Sequence, residues 1–111
     1  MFKVAKKKEV EWPVTVSIPQ DGGKVTKATF TAKFEVVDSD ESEDILFGRN
    51  PDCTDILDRV LIGFSGVAFE DGTPMEFSTE SKATLLKIPY ARQALLDAFF
   101  ALQKGQGARK N

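Results

Sequence analysis

The residues able to do chemistry in this chain are carboxylates, one thiol and little else. Asp55 with Asp58, and Glu70 with Asp71, are the two close carboxylate pairs that an acid–base reading would need. Paired catalytic carboxylates require opposed environments within a cleft, so that one holds its proton and the other does not. Both pairs read as exposed residues, the first on a helix and the second in a turn. The run Asp38-Ser-Asp-Glu-Ser-Glu-Asp44 suggests a calcium loop. An EF-hand loop places Gly at its sixth position and Glu at its twelfth, where this chain has Glu43 and Arg49. The run fits better as the start of a short helix, capped by Asp38 or Ser39, with its acids near the positive end of the helix dipole. Cys53 is the single cysteine, and the chain has no histidine. A lone thiol forms no internal disulfide and suits a reducing compartment. Cys53 falls in the first turn of a helix, which lowers a thiol pKa, but Asp52 and Asp55 oppose that effect. It reads as structural or incidental. Without histidine, the commonest general base and metal ligand is missing. The reading is therefore of a non-enzyme with no cofactor, no metal and no catalytic residue.

Composition sets the frame for these residues. The chain has 111 residues, which suits one domain, 1–111, with one core. It is 41% hydrophobic and 29% charged, as expected of a folded soluble protein. No apolar run reaches the roughly 18 residues of a membrane helix. Lysines stand where a secretory leader would need an apolar stretch. A net charge of -2 gives no basis for nucleic-acid binding. Residues 1–8 form a basic arm with Lys3, Lys6, Lys7 and Lys8, readable either as an electrostatic contact or as a solvated terminus.

The pattern along the chain predicts an α+β fold. From Val10 to Ile18 the apolar residues alternate, which marks a half-buried strand. Pro13 places it at a sheet edge. Gln20-Asp21-Gly22-Gly23 supplies a hairpin turn, with positive φ expected at its central residues. The return strand runs from about Lys24 to Val37, with Phe30, Ala32, Phe34 and Val36 on its apolar face. This hairpin, residues 9–37, must pack its apolar face on the helices or on another chain. A helical part, residues 38–104, follows, with about four short helices. The first contains Ile45, Leu46 and Phe47, ends at Gly48, and gives way to a turn at Asn50-Pro51. The second begins near Pro51 or Asp52, places Ile56, Leu57, Val60, Leu61 and Phe64 at helical spacing, and ends at Gly63.

Then comes the stretch around which the chain is organised. Phe64, Val67, Phe69, Met75 and Phe77 read as core anchors, with a second mini-hairpin, Val67–Phe69 and Met75–Phe77, around an Asp71-Gly72 turn. Ser78 caps a third helix that buries Leu85, Leu86 and Ile88. Pro89 opens a fourth, Pro89 to Lys104, with Ile88, Ala91, Leu95, Ala98, Phe99 and Leu102 in one stripe facing the core. Leu96 and Phe100 lie roughly 100 to 140 degrees round from Leu95. With Lys104 they form a candidate partner contact, or else widen the apolar face that the hairpin covers. Residues 105–111 read as a loose basic tail.

The series Asp58-Arg-Val-Leu-Ile-Gly-Phe-Ser-Gly-Val67, the Asp71-Gly72 turn, Met75-Glu-Phe-Ser78, Leu85-Leu-Lys-Ile-Pro89 and Arg92-Gln-Ala-Leu-Leu-Asp-Ala-Phe99 resembles the tail assembly chaperones of long-tailed bacteriophages and prophages. Some relatives appear with Trp where this chain has Phe64. The resemblance implies a binding protein of the host cytoplasm. Such a protein keeps the tape-measure protein soluble while tail-tube subunits polymerise, and is absent from the mature virion. A longer frameshifted form that recruits the tail-tube protein is also implied. Self-association is left open, and no contact with nucleic acid or membrane is implied. The alternative is a permanent particle subunit, such as a tail-tube or head–tail joining protein, in which the edge strand Val10–Ile18 extends a neighbour's sheet. The aromatic face of Phe30 and Phe34 is a further candidate surface.

Overall fold

A computed structural model describes residues 1–3, 8–36 and 53–105. The acidic run 38–44, the first short helix, the Asn50-Pro51 turn and most of the basic tail lie outside these residues. Strands β1 (Lys8–Pro19) and β2 (Val25–Val36) form an antiparallel hairpin. Helix α1 (Cys53–Val60) leads directly into strand β3 (Leu61–Ser65). Helices α2 (Thr79–Leu86) and α3 (Pro89–Gln103) complete the described chain. The sheet has three strands in the order β1-β2-β3, all antiparallel.

The hairpin follows its alternating pattern. Lys8 pairs with Val36 and Pro19 with Val25, in one unbroken register. The turn is a single 3-10 turn, Asp21–Gly23, closed by a bond from the Gln20 N–H to the Lys24 carbonyl at 2.7 Å. Positive φ falls on Gly22 and Gly23, at 77° and 79°, and not on Asp21. Glycine takes this conformation without the Cβ clash that other residues suffer. β1 lies at the sheet edge, where Pro13 costs the ladder least.

The helices cover one face of this sheet. Val14, Val16, Phe30, Ala32 and Phe34 point into the core, together with Leu95 and Phe99 from α3. Phe34 and Phe99 meet with ring centroids 5.7 Å apart. Ala32 sits fully buried between Trp12 on β1 and Phe64 on β3, a small residue flanked by two aromatic neighbours across the sheet. No polar or charged side chain is buried among the described residues. The opposite face is polar. The Thr15 and Thr29 hydroxyls lie 3.5 Å apart there, and Lys33 reaches Glu9 at 3.9 Å.

Two features correct the sequence reading. The helix expected from Pro51 or Asp52 through to Gly63 stops at Val60, and Leu61–Ser65 is a strand. Helical spacing of Leu61 and Phe64 was a valid pattern, but a short apolar run also fits a buried strand. The second edge of β2 decides between them, because its backbone groups need partners. Thr31 pairs with Ser65, Ala32 with Phe64, Lys33 with Gly63 and Phe34 with Leu61. Ile62 is the extra residue of a bulge opposite Lys33 and Phe34. Arg59 at the end of α1 then reaches Glu35 of β2 at 2.9 Å.

The second mini-hairpin is also reduced. Only a single bridge, Ala68 with Pro74, links its arms. The arms are three residues long, and Pro74 has no N–H to extend a ladder. The turn itself is present: Gly72, at φ 89°, donates to the Phe69 carbonyl at 2.9 Å.

The starts of both later helices match the sequence. Ser78 caps α2, its hydroxyl accepting from the Ser81 N–H at 3.0 Å, while the Ser81 hydroxyl accepts from the Ser78 N–H at 2.7 Å. Pro89 occupies the first turn of α3, where a missing N–H leaves no bond unmade. Gly105, at φ 72°, follows the α3 end at Lys104.

Phe34→Ala removes the ring that joins β2 to α3, at a site with no solvent exposure. It should cost about 3–5 kcal/mol of unfolding free energy in urea titration. Thr29→Ala on the polar face should stay within about 0.5 kcal/mol of wild type. Equal losses at the two positions would contradict the assignment of the faces.

Candidate functional site

The segment after β3 is built by a turn and a cap. Gly66 has φ 81°, and a Cβ there would lie 3.6 Å from that of Phe30. A side chain at this position would be strained by its backbone conformation as well as crowded against β2. The chain therefore turns closely over Phe30 and leaves the sheet. It runs out through Val67 and Ala68, reverses at Glu70-Asp71-Gly72, and returns through Pro74, Met75 and Glu76. The Met75 N–H bonds to the Val67 carbonyl at 2.8 Å, and the Phe69 N–H to the Thr73 carbonyl at 2.8 Å.

The return is fastened at two points. Phe77 packs edge-on against Phe64, with centroids 5.2 Å apart and planes 78° to each other. Such a pair contributes about 0.5–1.5 kcal/mol beyond its area burial. The Ser81 hydroxyl donates to the Glu76 carbonyl at 2.7 Å, tying the segment to the start of α2. Lys82 of α2 donates to the Asp58 carbonyl near the end of α1, which fixes the two helices to each other.

Between the two arms lies an open groove of about 470 Å³, lined by Phe64, Ser65, Gly66, Val67, Ala68, Pro74, Met75, Glu76 and Phe77. Its volume is within the range of clefts that bind ligands or side chains of a partner. The lining is mainly apolar and the one acidic member is Glu76. The five residues expected as core anchors are thus not all core. Val67 and Met75 are half-buried, while Phe69 is 50% and Phe77 38% exposed. A segment that reverses direction over a few residues lies at the surface, where it has too little cover to bury five large side chains.

The earlier candidate contact is placed differently from its expectation. Leu96 is 7% exposed and belongs to the core cluster. The apolar face of α3 is wider than one stripe, and the rest of this chain covers Leu96. Phe100 is half-buried and packs on Phe99, with centroids 6.0 Å apart. Lys104 is exposed and ends α3, its N–H bonding to the Phe100 carbonyl at 3.1 Å. Phe30 and Phe34, read as a further candidate surface, are buried.

Chemistry-bearing groups are sparse. Among the described residues, no group of three or more His, Cys, Asp or Glu is placed to hold a metal ion. Asp58, Glu70 and Asp71 are exposed. The Asp71 carboxylate accepts from the Thr73 N–H at 2.9 Å, and this bond holds its pKa below the ordinary aspartate value. Asp55 and Cys53 begin α1, and their side chains lie outside the description. Among the described residues, no helix is long and apolar enough to cross a membrane.

Comparison with protein families, curated proteins and solved structures finds no match to this chain.

The Asp71 bond is formed only by the ionised carboxylate acting as acceptor. Its folded pKa is lowered, so its support of the turn is present above the unfolded pKa and is lost as pH falls through the folded pKa. Carboxyl chemical shifts followed by NMR should give Asp71 a midpoint below that of Asp97, with the Thr73 amide shift moving at the same midpoint. An Asp71 midpoint at or above that of Asp97 would contradict the bond.

Proposed function

We propose that this chain is a phage tail assembly chaperone, a binding protein that holds an apolar segment of a tape-measure protein in the host cytoplasm. Two things support the reading. The ordered series from Asp58 to Phe99 resembles that family. The observation that carries a binding role is the groove between Val67 and Phe77, open to solvent and flanked by exposed Phe69.

A chaperone for a long amphipathic helix needs an apolar surface with a polar rim on a well-packed scaffold. The groove supplies Phe64, Val67, Pro74, Met75 and Phe77, with Glu76 at its wall. The contact first read at Leu96, Phe100 and Lys104 shrinks to Phe100 and Lys104, at the far end of α3, as a secondary point of attachment. Many copies along one long partner would tolerate a small interface on each copy. No step of this function is chemical, so no residue is assigned a catalytic role. The alternative, a permanent subunit of the particle, draws on the long edge strand β1, which is available to extend a neighbour's sheet.

Co-expression with the tape-measure protein of the same phage tests the reading. The long protein should become soluble and co-purify with tagged chain. Met75→Asp with Phe77→Asp should lose it while the chain stays folded by circular dichroism, because both residues lie outside the main core. A tape-measure protein that stays insoluble, with the chain retained in purified particles, would favour the particle-subunit alternative.

A further inference from the structure

The groove has an acidic rim, and the chain carries a segment of opposite character. From Gly66 to Ser81 there are four carboxylates, Glu70, Asp71, Glu76 and Glu80, and no Lys or Arg. All four are exposed. The basic arm Met1-Phe-Lys-Val-Ala-Lys-Lys-Lys8 interleaves four lysines with apolar residues. Met1 and Phe2 have no cover in the folded chain, Phe2 being 89% exposed.

The topology sets arm and groove at opposite ends of the sheet. The chain enters β1 at Lys8, opposite Val36. The groove begins beside Ser65, which pairs with Thr31 at the other end of the β2–β3 ladder. Five residues of strand separate Thr31 from Val36, about 17 Å at the usual rise. Because β1 runs from Lys8 toward the turn, the arm leaves the sheet on the side away from the groove.

We infer that the groove of one copy receives the arm of a second copy, the apolar residues of the arm entering between Val67 and Met75 while its lysines face the acidic rim. This contact is head-to-tail. Each joined copy still presents a free arm and a free groove, so the association adds further copies rather than closing at a dimer. The surface is small and the ion pairs are exposed, so the contact is weak and salt-sensitive. The inference rests on the groove and not on the identity of any phage partner. A partner that fills the groove would displace the arm.

Sedimentation velocity of the full chain, at concentrations from micromolar to millimolar, tests this. Wild type should associate increasingly with concentration, and raising salt from low to about 0.5 M should weaken the association roughly tenfold. An arm variant, Phe2→Asp with Lys3→Glu, should be monomeric. Its changes lie at exposed positions ahead of β1, so the fold is kept. A groove variant, Met75→Lys with Glu76→Lys, should also be monomeric, with Glu76→Lys alone as the milder form should the double change unfold. Mixing the arm and groove variants should restore one-to-one pairs and nothing larger, since one supplies an intact groove and the other an intact arm. A wild type that stays monomeric throughout would overturn the inference. So would an arm variant that associates like wild type, or a mixture that does not pair. A monomeric wild type in which the groove variant shifts the Phe2 amide resonance would instead place the arm in its own groove. That result would also overturn the second-copy contact, and it would leave the co-expression result with the tape-measure protein unaffected.

Discussion

The pairing of β3 with β2 is the constraint on which the rest of this structure depends. A two-stranded hairpin is marginal alone, and β2 would present an unpaired edge beside its most apolar residues. Leu61–Ser65 closes that edge and brings Leu61 and Phe64 beside Phe34 and Ala32. The same pairing fixes the end of α1 against Glu35. It also sets where the chain must leave the sheet, at Gly66 over Phe30, and so creates the groove. Loss of the β3 register would therefore disturb α1, the core and the groove together.

The parts of the fold legible in the sequence are those fixed by local rules. Alternation from Val10 to Ile18 and the two adjacent glycines define the hairpin without reference to the rest of the chain. Ser78 and Pro89 announce helix starts through backbone chemistry that acts within one turn. The stripe of Ala91, Leu95, Ala98, Phe99 and Leu102 is set by helical period alone, and these residues are buried. Strand β3 was not legible, because its identity depends on an edge more than twenty residues earlier in the chain. In Val60-Leu-Ile-Gly-Phe64 the helical and strand patterns coincide. Gly63 hinted at the answer, since glycine inside a helix costs about 1 kcal/mol relative to alanine.

The candidate site was harder to read than the fold. Large apolar residues between Phe64 and Phe77 suggested a core hub, since burial is their usual fate. The contrary signal was present in their neighbours. Phe69 is followed by Glu70, Asp71 and Gly72, and Phe77 is preceded by Glu76. A tight acidic turn holds those side chains at the surface. On α3 the error ran the other way. Leu96 was placed off the core stripe by helical geometry, but three neighbouring elements cover a wider face than one stripe.

The central claim is that the groove between Val67 and Phe77 is a binding surface. Amide hydrogen exchange of the chain, free and bound to a co-purified tape-measure segment, tests it most directly. The account predicts that protection on binding is gained across residues 64–77, with little change in the middle of α3. Unchanged exchange across 64–77, with the new protection confined to β1 or to the end of α3 near Phe100, would contradict it.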